Sequence, residues 1–281
     1  LEPPRPQPVE PITEIRVTQF RDYLACPYRF YLRHILKVAT VNDQIEELDP
    51  AGFGELAHQV LCEFARSRLR DSTDADAIAE HLIRRLEAII KQRLSAAPLP
   101  AVPIQIEQLK ARLRAFATFQ AEHAKQWRIL HAEYEPKEPV LLDVDGKTIR
   151  LKGRIDRIDQ HRETQWYLIL DYKVTDTDNT KPEQSHHKKV GGQRVWIDLQ
   201  LPLYRRLAGH VIKDRNVSLG YILLPKKTES TGLREATWTE EDLAEAEETA
   251  RDVVRRIWRE EFWPPKEDAE GRFPELSPIL P

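Results

Sequence analysis

The run Trp166-Tyr-Leu-Ile-Leu-Asp-Tyr-Lys-Val174 restricts the fold more than any other stretch of the chain. Its first half is continuously apolar, as in a strand buried within a sheet. Its second half carries Asp171 and Lys173. Strand side chains alternate, so these two share a face. Unpaired charge is costly on a buried strand. Either the two form a plain ion pair or they have a chemical task. A carboxylate beside an ammonium at the end of a hydrophobic strand suits metal-dependent phosphodiester hydrolysis. The acid would hold a divalent cation and the lysine would meet phosphate charge.

Gly153-Arg-Ile-Asp-Arg-Ile-Asp159 precedes this run and reads as its antiparallel neighbour. A hairpin turning near residue 163 brings Asp156 opposite or diagonal to Asp171. Facing residues stand roughly 5 Å apart at Cβ, which lets two carboxylates share one ion. Oxygen donors select hard ions such as Mg2+ or Mn2+. The plainer alternative is a pair of surface contacts, Asp156 with Arg154 or Arg157 and Asp171 with Lys173.

Helical spacing surrounds this hairpin. It predicts helices over Thr18 to Leu36 (interrupted by Pro27), Gly52 to Leu69, Asp74 to Leu94 and Ile104 to Trp127. Strands are expected over Ile129 to Leu142, Lys147 to Ile158 and Tyr167 to Val174, with a turn at Asp145-Gly146. Thr175 to Gly192 reads as a mobile loop. Gln193 to Leu207 reads as a helix that Pro202 should kink. Strands over Val217 to Leu224 and Leu233 to Trp238 precede a helix capped by Thr239 and running to Arg259. This order implies one α/β domain over 15–265, a mixed β-sheet core flanked by helices, with a helical insertion over 60–128. Residues 1–14 read as a proline-rich linker and 266–281 as a tail.

With 281 residues, 41% hydrophobic and 32% charged, the chain is of globular type. No apolar run approaches the roughly 20 residues of a membrane helix. A net charge of −3 excludes a uniformly basic nucleic-acid binder but not an acidic site with a local basic surface. The two cysteines, Cys26 and Cys62, fit a reducing, cytoplasmic setting rather than a disulfide scaffold. There is no methionine, so the chain is expected to be part of a longer polypeptide. It carries no Gly-x-x-x-x-Gly-Lys-Ser/Thr loop for ATP.

Four motifs together resemble the PD-(D/E)xK nucleases, specifically their RecB-like or AddB-like branch. They are Cys26-Pro-Tyr-Arg-Phe-Tyr-Leu32, Phe53-Gly-Glu-Leu-Ala-His58, Gly153-Arg-Ile-Asp156 with Leu170-Asp-Tyr-Lys173, and Gln200-Leu-Pro-Leu-Tyr204. The resemblance implies a restriction-endonuclease-like fold. It implies metal ligation by His58, Asp156, Asp171 and the Tyr172 carbonyl, with Lys173 as the catalytic cation. It places Gln200 and Tyr204 against nucleic acid, and Glu133 where the family often keeps a supporting acid. His58 could otherwise be an ordinary packed histidine, and Tyr204 ordinary core-edge packing. The implied activity is Mg2+- or Mn2+-dependent cleavage of DNA, on a single strand or a duplex end, with exonuclease action favoured over endonuclease. The implied setting is the nuclease module of a helicase–nuclease in double-strand-break repair, with the helicase upstream or associated. A free-standing exonuclease and a catalytically silent DNA-binding scaffold are the alternatives. Some relatives hold an iron–sulfur cluster on four cysteines. Cys26 matches the first position, but no cysteine follows Phe262, so no iron–sulfur cluster is expected. The tail should instead pack through Trp258, Phe262, Trp263 and Phe273. The basic stretch Lys181 to Lys189, with Arg194, reads equally as a phosphate grip or a solvated loop.

Overall fold

A computed structural model describes residues 5–7, 10–38, 50–93, 101–213 and 216–266. Strand β1 (Glu14–Arg16) leads into helices α1 (Gln19–Ala25) and α2 (Pro27–Phe30), extended by a π-helical turn, Tyr31–Ile35. Pro27 divides the expected single helix. A residue before proline is pushed out of the helical region, and Cys26 is extended at φ −155° and ψ 107°. Helices α3 (Pro50–Ala65), α4 (Ala75–Arg93) and α5 (Ala101–His123) follow. Pro103 falls in the first turn of α5, where a missing N–H costs nothing.

Next come strands β2 (Trp127–Tyr134), β3 (Val140–Val144), β4 (Lys147–Lys152), β5 (Ile155–His161) and β6 (Tyr167–Thr175). Two expected long strands are thus four short ones. Pro136 and Pro139 lack ladder donors and part β2 from β3. Gly153 parts β4 from β5 at a close crossing. A Cβ there would stand 2.6 Å from Leu207 Cδ1 and 2.8 Å from Val17 Cγ2. Asp145 and Gly146, at φ 54° and 80°, make the β3–β4 turn.

The expected loop over 175–192 contains helix α6 (Pro182–His186) and strand β7 (His187–Val190), which pairs with β8 (Gln193–Trp196). Gly191 and Gly192, at φ 57° and 83°, close that hairpin. Helix α7 (Gln200–Leu207) therefore starts later than expected, and Pro202 lies in its first turn, where it causes no kink. Helix α8 (Gly209–Ile212), strands β9 (Val217–Pro225) and β10 (Gly232–Glu235) and helix α9 (Glu240–Trp258) complete the order. Thr239 Oγ1 accepts from the Asp242 N–H at 3.2 Å, and the Asp242 carboxylate accepts from the Thr239 N–H at 3.0 Å. This capping box fixes the start of α9.

The central sheet runs β10-β9-β6-β5-β2, mixed because β6 and β9 are parallel. A smaller sheet runs β1-β4-β3. Alternation along β6 divides the core. Tyr167 and Ile169 join the cluster under α1, α7 and α9, while Leu168, Leu170 and Tyr172 join the cluster under α3, α4 and α5. The C-terminal segment packs as the sequence suggests as far as it is described. Trp258 Nε1 donates to the Ile12 carbonyl at 3.0 Å. Phe262 stacks on Phe30, and Trp263 meets Tyr28 edge-on. Phe273 and the rest of the expected tail beyond residue 266 lie outside the described residues.

Candidate active site

The β5–β6 hairpin sets the site's geometry. Arg157 faces Leu170 and Ile158 faces Ile169, so one step further Asp156 faces Asp171. Asp156 Oδ2 accepts the Tyr172 backbone N–H at 3.0 Å. On the other side of β5, Ala132 faces Arg157 and Tyr134 faces Ile155, which puts Glu133 beside Asp156. Glu133 has φ 53°, a left-handed conformation that costs a non-glycine residue about 1–2 kcal/mol. It sits where β2 turns this carboxylate into the cluster.

His58 reaches the carboxylates from α3, which buries Leu56, Ala57, Val60, Leu61 and Phe64 against the sheet. His58 Nε2 is 2.9 Å from Asp156 Oδ2 and 3.7 Å from Glu133 Oε1. One turn later, Cys62 Sγ donates to Glu133 Oε1 at 2.8 Å and lies 3.3 Å from His58 Nδ1. Arg154 pairs with the other Glu133 oxygen. Burial opposes protonation of His58, but the Asp156 hydrogen bond and the charges of Asp156, Glu133 and Asp171 outweigh it and raise its pKa. Burial and Glu133 push the Cys62 thiol well above its ordinary range, so it stays a neutral donor.

Asp171 is 4% exposed and has two polar partners. Its Oδ2 is 2.8 Å from Lys173 Nζ. Its Oδ1 accepts from Gln200 Nε2 at 2.9 Å, and the same nitrogen lies 2.6 Å from the Tyr204 hydroxyl. Residues i and i+4 of α7 thus act together on one helix face. Asp198 fixes the start of α7 by accepting the Gln200 N–H at 2.8 Å. Lys173 rests 5.1 Å above the Tyr221 ring. Burial, and then the Asp156 charge, push the Asp171 carboxyl up to about 6 despite the pull of Lys173. Lys173 loses solvation, but Asp171 more than compensates and raises its pKa.

The structure therefore brings together His58, Glu133, Asp156, Asp171, Tyr172, Lys173, Gln200 and Tyr204. The Asp171–Lys173 ion pair of the plainer reading forms. Arg154 and Arg157 take Glu133 and Asp159 as partners instead of Asp156. The i+4 spacing of Cys62 from His58 places it on the same helix face, towards the expected metal site, and the structure adds its contact with Glu133. Sequence reasoning missed the cleft of about 650 Å³ that opens on His58, Asp156, Gln200 and Tyr204 and is bordered by Arg16, Arg150, Lys152 and Arg154. The basic stretch over 181–189 does not border this cleft. His186 is buried there, bonded to the Asp198 carbonyl at 2.7 Å and to the Tyr221 hydroxyl at 2.6 Å.

The donor set fits a hard divalent ion. Three carboxylates and one imidazole converge, and Asp171 Oδ2 is buried without a hydrogen bond of good geometry among the described residues. Burial first, and the Asp156 charge after it, raise the Asp171 carboxyl, and a dication between the two aspartates would favour its ionised form. His58, Cys62 and Glu133 place donor atoms within 4.8 Å of one another.

A family model described as the PD-(D/E)XK nuclease superfamily matches residues 15–272. An uncharacterised protein of Rickettsia conorii is 30% identical over 176 residues, covering 61% of this chain and 20% of that protein. An ATP-dependent helicase/deoxyribonuclease subunit of Moorella thermoacetica is 26% identical over 215 residues, covering 69% of this chain and 17% of that protein. The chain thus spans about a fifth of the length of these relatives. A solved structure of a candidate exonuclease from Eubacterium rectale superposes with a TM-score of 0.50 at 12% identity, covering 91% of this chain and 85% of that one. That likeness concerns the fold.

Proposed function

This chain belongs to the PD-(D/E)XK nuclease superfamily, and from that premise we propose that it is the Mg2+- or Mn2+-dependent deoxyribonuclease module of a longer helicase–nuclease. The facing pair Asp156 and Asp171, with Lys173 2.8 Å from Asp171, carries the reading. His58 Nε2, the two aspartates and the Tyr172 carbonyl would hold the ion. The N–H and C=O of one strand residue point to the same side. The Tyr172 N–H already meets Asp156, which supports the carbonyl as a ligand. When bound, the ion supplies an acidified water and offsets charge on the phosphate.

The chain's own residues do the rest. Asp171 holds Lys173 at 2.8 Å, and the lysine ammonium would meet the non-bridging oxygens or orient the attacking water. Gln200 fixes the Asp171 carboxylate and, with Tyr204, presents polar groups to the nucleic acid. Glu133 steadies His58 through Cys62. The named similarity to an ATP-dependent helicase/deoxyribonuclease subunit supports a helicase partner, and a role in processing broken DNA ends is part of the proposal. Exonuclease action on a strand end, a cytoplasmic location and the lack of an iron–sulfur cluster belong to the same reading. Both cysteines are free and buried.

End-labelled linear DNA and circular DNA, incubated with Mg2+, Mn2+ or EDTA, test it. Labelled ends should shorten with either ion and persist in EDTA, with circles spared. Intact single- and double-stranded DNA under both ions would leave the silent scaffold as the better account.

A further inference from the structure

We propose that the outer face of β1 and β4 is a track for the backbone of single-stranded DNA leading into the carboxylates, an inference that rests on the nuclease reading for its destination. The sequence alternates here in a way the motifs leave unexplained. Ile149 and Leu151 point into the core, so Arg150 and Lys152 point out. Arg154 continues the series across the break at Gly153, and Asp156 comes two residues later. Alternate residues of an extended chain are about 6.7 Å apart. That is close to the separation of successive phosphates along a stretched nucleic-acid strand. The register of the parallel β1–β4 pair places Arg16 beside Lys152, which widens the row.

Arg154 is held by Glu133, and the other three cations are available. Among the described residues, Arg16 and Arg150 are in no ion pair, and the Lys152–Glu14 pair at 2.7 Å is about half exposed on both sides. Such exposed pairs are worth little and yield readily to a phosphate. Arg16, Arg150, Lys152 and Arg154 border the same cleft as His58 and Asp156, so the row and the site are continuous. Glu135 and Glu138 also border it, but they lie on the β2–β3 connection and not in the row. A single file of cations at this repeat matches one extended backbone. The backbone of a duplex winds away from a straight file after a few phosphates. In a chain with net charge −3, a local basic row of this kind supplies the attraction that overall charge does not.

The test is fluorescence anisotropy with labelled oligo-dT and a labelled hairpin duplex, in EDTA, across a series of salt concentrations. The triple variant Arg16→Gln, Arg150→Gln, Lys152→Gln should bind oligo-dT at least 10-fold more weakly. Its slope of log affinity against log salt should be smaller by about 2, as for three lost single-strand phosphate contacts. A control triple, Lys188→Gln, Lys189→Gln, Lys226→Gln, removes the same charge from exposed sites elsewhere and should change neither. Melting temperatures of both variants should match wild type, since the substituted groups are on the surface. Equal losses in the two triples, or an unchanged slope in the first, would overturn the track. Equal losses on oligo-dT and duplex would overturn its assignment to a single strand. The assay needs no cleavage, so its failure leaves metal-dependent hydrolysis standing, and absent hydrolysis leaves the binding result intact.

Discussion

Asp156 and Asp159 lie three residues apart on β5 and so face opposite sides of the central sheet. On the α5 side, Asp159 is fully buried and matched. Arg157 donates to both of its oxygens at 2.6 Å, and His123 Nε2 lies 2.8 Å from Oδ2. Arg157 also donates to Gln120 Oε1 at 2.7 Å. On the α7 side, Asp156 faces a second carboxylate, has a third beside it in Glu133, and borders an open cleft. Arg157 and His123 hold the Asp159 carboxyl below its usual range against burial, whereas burial and Asp156 push Asp171 up to about 6. The same residue types in one motif thus build a closed structural cluster and a second one that opens on a cleft. On the reading proposed above, the second is the functional one.

Breaking the closed cluster should cost the most stability. Asp159→Ala strands the Arg157 guanidinium in the core, and removal of one partner of a buried pair costs about 3–5 kcal/mol. Denaturant unfolding should show this loss. A change below about 1 kcal/mol would mean that Arg157 finds water or another acid.

Lys173→Ala tests the open cluster. Cleavage should fall about 100-fold, equivalent to about 2.7 kcal/mol, with Mn2+ binding kept, because an ammonium is not a metal ligand. Near wild-type turnover would reduce Lys173 to the plain ion partner of Asp171.

The smallest effect sharpens the contrast through pH. Without metal, Asp171 keeps its proton up to about pH 6 in the folded protein, against an ordinary value of 3.8. The folded state binds the extra proton between these values, so this site's contribution to stability falls as pH rises from about 4 to 6. Asp159 has the opposite sign. Its depressed pKa stabilises the fold above 3.8, and that contribution is lost as pH falls through the folded value. Stability profiles of Asp171→Asn and Asp159→Asn against wild type should therefore differ in opposite pH directions. Parallel profiles would erase the distinction between the clusters.

Much of this arrangement is legible in the sequence because it is local. Period-two alternation places Asp171 and Lys173 on one face, and the i, i+4 spacing joins Gln200 to Tyr204. The approach of His58 is long-range, so only the motif around Gly54 brought it into the group. The strand breaks were hidden because Gly153 matters through its contact with Leu207 and Val17, which spacing along the chain does not reveal. The hairpin of β7 and β8 was hidden because exposed lysines and arginine mask its alternation. The closed cluster around Asp159 joins Arg157 to His123 and Gln120 of a distant helix, which the motif that contains it does not reveal.

Calorimetric titration of Mn2+ into wild type and Asp171→Asn tests the central claim most directly. Wild type should bind the ion and Asp171→Asn should not. The variant's metal-free melting temperature should be unchanged or higher, because one of two facing carboxylates no longer carries charge. Mn2+ binding of equal affinity in the variant would contradict the account and remove Asp171 from the metal centre.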